Sequence, residues 1–127
     1  MTNISEHVSP LGFASTVDRL VDAIARAGMT LLARIDHAAG ARASGLDMPP
    51  TEVLIYGNPK GGTPIMLAAP QAALDLPLRV LVREDPSGRT VIAFHPAADT
   101  LRQAGVPDHL AHRLDPAQHL LVEAIQP

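Results

Sequence analysis

The chain has 127 residues, 46% of them hydrophobic, which is enough apolar material for one domain with a buried core. Its formal net charge is −3, from 10 basic and 13 acidic residues, and aromatic side chains are scarce. A nucleic-acid partner is therefore not expected, because such a partner selects a basic surface and stacking aromatic rings. The absence of cysteine excludes disulfide, thiolate and zinc–thiolate chemistry.

Residues 1–6 lack the pattern of an export signal, and the most apolar stretch, 65–82, is interrupted by prolines and charged residues. We therefore expect no membrane partner and a cytoplasmic protein. The expected organisation is a single domain over 1–127, with a tail at 1–6, a core at 7–96 and a C-terminal helical region at 97–127.

The clearest predicted element is a helix that begins near Ser15 or Thr16, with Asp18 completing a capping box with Ser15. Apolar residues recur at positions i, i+3, i+4 and i+7, as expected for one buried face. These residues are Val17, Leu20, Val21 and Ile24. Gly28 is suited to the left-handed position that follows a helix.

Apolar stretches predict five strands, the first a short edge strand because it contains Pro10. Their expected ranges are 7–12, 29–36, 51–57, 78–83 and 90–94. In the second strand, Leu31, Ala33 and Ile35 are expected to share a face. The turn at 85–88 joins the last two strands as a hairpin.

Helical patches follow at 97–104 and 116–125, the latter capped by Asp115. The predicted fold class is α+β, with the order β-α-β-β-β-β-α and a mainly antiparallel curved sheet that carries helices on one face. Apolar residues on both faces of the strands leave surface for a partner, so a homodimer is expected.

The segment 57–63 joins the third strand to a predicted helix start at Thr63 and Pro64. Gly61 and Gly62 permit positive φ and close approach of a ligand to the backbone. Lys60 adds a positive charge beside amide groups that a helix start leaves free.

A small anionic ligand is therefore predicted at Asn58, Lys60, Gly61, Gly62 and Thr63. The order of lysine and glycines excludes a nucleotide P-loop. A tight connection before a capped helix is the alternative interpretation.

His37 follows the second strand and is added to this ligand site, where it can exchange a proton beside Asn58 and Lys60. The alternative is a hydrogen-bonded histidine that orders its own loop. No catalytic residue is assigned, and an enzyme that uses His37 as general acid or base is the least favoured hypothesis.

Three histidines near the C-terminus, His109, His112 and His119, suggest a metal site at first. Pro107 and Pro116 interrupt this region, and no acid stands at the spacing of a zinc motif. No metal and no cofactor are predicted, and these side chains are expected to lie in solvent.

Three segments in order, at 34–41, 50–66 and 75–78, resemble domain-of-unknown-function family 302 over roughly residues 8–105. The resemblance implies a fold like that of TATA-box-binding protein, commonly dimeric, and implies nothing about DNA binding. His37 matches the histidine of the family's Asp-His-Ala-Ala-Gly segment, and Asp75 its Asp-Leu-Pro segment. The chain departs from the family at residues 94–99, where the family usually has a sequence such as Tyr-Asn-Asp-Pro after the last strand.

Three functions remain open from the sequence, in order of preference. The first is a dimeric module that binds a small anionic ligand. The second is a protein-interaction or scaffold dimer, and the third is the His37 enzyme.

Overall fold

Five strands form one sheet in the computed structural model, which describes residues 3–127. The strands are β1 (Ser5–Ser9), β2 (Thr30–Asp36), β3 (Thr51–Gly57), β4 (Leu78–Glu84) and β5 (Thr90–Phe94). Their spatial order is β1-β5-β4-β3-β2, and each neighbouring pair is antiparallel. The predicted α+β class with an antiparallel sheet is confirmed.

The helices occupy the connections and the C-terminal quarter of the chain. They are α1 (Phe13–Arg26), α2 (His37–Ala43), α3 (Pro59–Ala68), α4 (Ala97–Gln103), α5 (Asp108–Ala111) and α6 (Asp115–Ala124). A 3₁₀ helix, Pro70–Asp75, connects α3 to β4. The predicted order of strands around one early and one late helical region is therefore observed.

Two predicted boundaries need correction. Ser5 and Glu6, assigned to a tail, already pair with Phe94 and Ala93 in β1. Met1 and Thr2, the rest of that predicted tail, lie outside the described residues. The C-terminal region is also part of the core, because Leu121 of α6 is fully buried in it.

The first helix packs on the sheet through its predicted face, since Val17, Leu20 and Ile24 are buried. The predicted capping box is wrong: the N-cap is Gly12, without a side-chain hydrogen bond. The hydroxyl of Thr16 instead shares a buried hydrogen bond of 2.8 Å with that of Ser9 at the end of β1. A hydrogen bond between α1 and β1 is thus present in place of the predicted capping box within α1.

One face of the sheet forms the main core. Alternate residues of β3 and β4 point to this face, as the period of two in a strand requires. Leu54, Tyr56, Val80 and Val82 are buried there together with residues of α1, α3, α4 and α6.

The opposite face is largely apolar, although Glu6, Arg79 and Arg83 also lie on it. None of its residues within 3–127 belongs to that core. Its apolar residues in β2, β3 and β4 lie opposite one another, and Val8 of β1 lies opposite Val91 of β5. Val8 at 51% and Ile35 at 41% are exposed. We call this surface, formed by Val8, Ile35, Val53, Ile55 and Leu81, the open sheet face.

Strand β2 contains a bulge at Leu32, where the register shifts between Leu31 and Ala33. Leu31 pairs with Tyr56 on the core side, whereas Ala33 pairs with Ile55 on the open sheet face. The prediction that Leu31 and Ala33 share a face is therefore wrong, because one extra residue inverts the alternation.

Candidate functional site

A cavity of about 430 Å³ lies where the end of β3 meets the start of α3. Four parts of the chain surround it: the start of β2, the first two turns of α3, the segment before β4, and the start of α6. The lining residues are Met29, Thr30, Leu32, Gly57, Asn58, Pro59, Gly61, Gly62, Thr63, Met66, Leu76, Pro77, Leu78, Leu114 and Ala117. We call it the α3 cavity.

The helix beside this cavity begins five residues earlier than predicted, at Pro59 instead of Pro64. Asn58 is its N-cap, and the Asn58 side-chain oxygen accepts a hydrogen bond of 3.0 Å from the N–H of Lys60. The N–H groups of Gly61 and Gly62 donate to the backbone carbonyl of Asn58, at 2.9 and 3.1 Å. Thr63 is therefore not the N-cap, and the predicted row of free amides for an anion is wrong.

The glycines allow neighbouring elements to approach α3 closely. A Cβ atom on Gly61 would lie 3.3 Å from Cδ2 of Leu114, which is tighter than ordinary packing. On Gly62 it would lie 3.8 Å from Leu76 and Met66, an ordinary contact. A side chain at Gly62 would thus project among the apolar lining residues.

Polar groups of the α3 cavity are few and lie at one end. Thr30 pairs with Gly57 across β2 and β3, which places it beside Asn58. Thr63 follows about one helical turn later, on the same side of α3 as Pro59 and Met66. No hydrogen bond within residues 3–127 occupies the hydroxyl of Thr30 or Thr63.

Lys60 is the chain's single lysine, and it stands between two lining residues, Pro59 and Gly61. Its side chain is exposed and forms no ion pair with an acidic residue of the described chain. Lys60 is not itself a lining residue of the α3 cavity, but its flexible four-carbon stem begins next to two of them.

His37 does not join these residues. It is the first residue of α2, directly after Asp36, which pairs with Glu52 at the opposite end of β3 from Gly57. Glu52 and Gly57 are five residue steps apart along β3, or about 17 Å. The predicted joint site of His37 with Asn58 and Lys60 is therefore wrong, and His37 lies exposed on the surface.

Behind the cavity, Tyr56 connects β3 to α6. Its ring is fully buried, and its hydroxyl donates a hydrogen bond of 3.2 Å to the carbonyl of Ala117, a lining residue. Burial raises the pKa of the Tyr56 hydroxyl far above its ordinary value, so the group stays a neutral donor.

Of the C-terminal histidines, His112 and His119 line another cavity, of about 380 Å³, and His109 does not. The guanidinium of Arg102 donates to Nε2 of His112 at 2.7 Å, and Nδ1–H of His112 donates to Asp115 at 2.8 Å. Because arginine only donates, these contacts assign the neutral Nδ1–H tautomer. Among residues 3–127, no three ligands of the His, Cys, Asp or Glu type come close enough to hold a metal ion.

Residues 5–126 match the family described as "Domain of unknown function DUF302". The chain belongs to this family. The structure of this DUF302 chain is similar to a solved structure, "Crystal structure of uncharacterized conserved protein DUF302 from Bacillus stearothermophilus". The TM-score between the two is 0.83. The superposition covers 96% of this chain and 94% of that chain. Because the sequence identity is only 17%, the similarity shows a shared fold and nothing about function.

This DUF302 chain is also similar to part of larger proteins. It is 41% identical over 85 residues to "Fluoride-specific ion channel FluC 1" of Brucella suis biovar 1 (strain 1330), over 67% of this chain and 34% of that protein. "Fluoride-specific ion channel FluC 2" of Brucella melitensis biotype 1 matches at the same identity, over 32% of its length. The chain thus spans about a third of the curated relatives it matches. None of the helices in residues 3–127 has the length and apolar character needed to cross a bilayer.

Several residues of the site were not found from the sequence. Met29, Leu76 and Leu114 line the cavity from three separate segments, and no local pattern connects them. Gln118, a buried residue outside the α3 cavity, was missed as well, although its position three residues before Leu121 places it on the buried stripe of α6. That spacing is the one signal that could have identified it.

Proposed function

We propose that this protein is a small-molecule-binding module that works as a homodimer and takes a small anionic ligand in the α3 cavity. The α3 cavity itself is the observation that carries the proposal. Its volume of about 430 Å³ falls within the range of small-molecule sites, and its few polar groups stand at one end of an apolar interior.

The anionic part of the proposal is supported by Lys60, since the amides of Lys60, Gly61 and Gly62 are already paired. Lysine is a compact, mobile cation that can meet an anion at the entrance without a fixed geometry. His37 is left out of the proposal, because the far end of β3 separates it from the cavity.

A thermal-shift screen of carboxylates, phosphates and nucleotides tests the proposal. A ligand at 100 times its Kd stabilises a protein by about 2.7 kcal/mol, which raises the unfolding temperature by several degrees. Gly62→Leu should abolish the shift, because the new side chain occupies the cavity. The matched control is Gly40→Leu in α2, where a Cβ atom meets nothing within 4 Å.

His37→Ala should leave the ligand-induced shift unchanged, because His37 lies outside the α3 cavity. The Gly40→Leu protein serves as the reference for the ligand-induced shift in unfolding temperature. If Gly62→Leu shows the same full shift with the same ligand, binding in this cavity is contradicted. A screen in which no small molecule stabilises the wild-type protein would contradict the binding function altogether.

A second candidate is a protein-interaction or scaffold dimer, favoured by the open sheet face. An exposed apolar sheet face is uncommon in a monomer, since antiparallel sheets usually present polar residues to water. The chain is also similar to about one third of each of two fluoride-specific ion channel proteins. This similarity favours a module that associates with other polypeptide segments. A fold like that of TATA-box-binding protein stays a prediction, and we propose no nucleic-acid partner, given the net charge of −3.

A further inference from the structure

We infer that the ligand of the α3 cavity is an amphiphile, with an apolar chain or small ring inside the cavity and one carboxylate at its entrance. The inference rests on the proposed binding function and adds the chemical class of the ligand. At about 30 Å³ for each water-sized group, a cavity of 430 Å³ holds on the order of a dozen non-hydrogen atoms.

The lining residues indicate that the part of the ligand inside the cavity is apolar. Met29, Leu32, Met66, Leu76 and Leu114 present hydrocarbon and thioether groups, with no charged side chain among the lining residues. Burying a phosphate or a second charge among them would lose hydration without a compensating partner. Nucleotides and inorganic phosphate are therefore poor candidates, and a molecule with a single charge at one end fits.

The position of the carboxylate follows from where the polar groups lie. The pairing of Thr30 with Gly57 brings the Thr30 hydroxyl to the end of the cavity that holds Asn58 and Thr63. Lys60 follows two positions after Asn58 and has no acidic partner within residues 3–127. An ammonium group and two unoccupied hydroxyls can then bind one carboxylate while the apolar body points toward Leu76 and Leu114.

Calorimetric titration with hexanoate, octanoate and decanoate, and with the matching 1-alkanols, tests the class of ligand. Affinity should rise up to about four-fold for each added methylene group, because each one buries apolar surface. Carboxylates should bind about two- to five-fold more tightly than the alcohols, as expected for an exposed ion pair. This preference should shrink in 1 M salt, where the Debye length is about 3 Å.

Lys60→Gln should remove the preference for carboxylate over alcohol and keep the dependence on chain length. Gly62→Leu should remove the dependence on chain length, and Gly40→Leu should change neither. Equal binding of carboxylates and alcohols by the wild-type protein would overturn the inference, although a binding module would remain.

Tight binding of phosphate or acetate, lost in Lys60→Gln and without any gain from longer chains, would also overturn the inference and would keep the proposed anionic ligand. If neither carboxylates nor alcohols bind at millimolar concentration, the inference fails. If, in addition, no compound of the thermal-shift screen binds, the proposed function fails with it.

Discussion

Asp85 closes the β4–β5 hairpin through one carboxylate oxygen that accepts three hydrogen bonds. The N–H groups of Arg89 and Ser87 donate at 2.9 and 3.0 Å, and the Ser87 hydroxyl donates at 2.8 Å. The Arg89 backbone amide, followed by the Ser87 hydroxyl, lowers the pKa of Asp85 from 3.8 to about 2. The charged carboxylate is therefore the form that the folded turn prefers.

The predicted pH dependence follows from that direction. A carboxyl group whose pKa is lower in the folded state stabilises the fold above its unfolded pKa, and this contribution disappears as the pH falls toward 2. Urea midpoints of the wild type and of Asp85→Asn should thus differ at pH 6 and converge by about pH 2. The other carboxyl groups titrate in both proteins, so the comparison removes them. An unchanged difference between pH 6 and pH 2 would contradict this role.

Around the site, single residues could be predicted from the sequence only in part. Asn58-Pro59 and Thr63-Pro64 are both good N-cap and first-turn pairs. The later pair was predicted as the helix start, whereas the helix begins at the earlier pair and includes two glycines, each costing about 1 kcal/mol. Packing from a distant segment contributes here, because a Cβ atom at Gly61 would lie only 3.3 Å from Leu114, the N-cap of α6. A local pattern does not contain that contact.

At the scale of elements, α6 is attached to the β5–α4 junction by the buried side chain of Gln118. Its oxygen accepts from the N–H of Ala97, and its nitrogen donates to the carbonyl of His95, both at 2.9 Å. Gln118→Leu keeps the size of the side chain and removes both bonds. We expect a loss of about 2 kcal/mol in the free energy of unfolding, since unpaired buried groups cost about 1–3 kcal/mol each.

Gln103→Leu in α4 is the matched control for this substitution. Gln103 is exposed and forms no side-chain hydrogen bond within residues 3–127, so its replacement should stay within about 0.5 kcal/mol. Urea unfolding of both variants and the wild type measures the difference. Equal stabilities of the two variants would mean that Gln118 does not hold α6 in place.

Elements were easier to predict than the faces they present. Strands β3 and β5 have the predicted ranges, 51–57 and 90–94, because apolar runs bounded by turn residues determine them locally. The face of β2 was predicted wrongly, because the bulge at Leu32 depends on its pairing with β3. A bulge in an edge strand also discourages unwanted strand pairing, which is a property of the whole sheet.

At the scale of the molecule, the α3 cavity could not be predicted, although the fold class could. Its lining comes from residues 29–32, 57–66, 76–78 and 114–117, which meet only when the sheet and α6 are assembled. The sequence indicated a ligand segment at 57–63 through glycines and a lysine. The apolar character of the site comes from the other three segments, so an anion cradle was predicted where a largely apolar cavity lies.

The open sheet face leads to a prediction about assembly. We expect two copies to pair through this face, which also carries charges of both signs, Glu6 and Arg83, in an ion pair of 3.6 Å. A two-fold interface needs such a self-complementary surface. Ile35→Arg should weaken the dimer by about 100-fold or more, because burying one isoleucine contributes at least about 1.5 kcal/mol and each interface counts it twice.

Sedimentation equilibrium at micromolar concentration measures the effect, and circular dichroism establishes that each variant is folded. The matched control is Leu74→Arg, because Leu74 is 85% exposed in the 3₁₀ helix and lies outside the open sheet face. It should leave the dimer intact. A wild-type protein that sediments as a monomer would contradict both the homodimer and the scaffold function. If the dimer persists in Ile35→Arg and dissociates in Leu74→Arg, the dimer interface lies on the surface around α3. The open sheet face is then not the dimer interface.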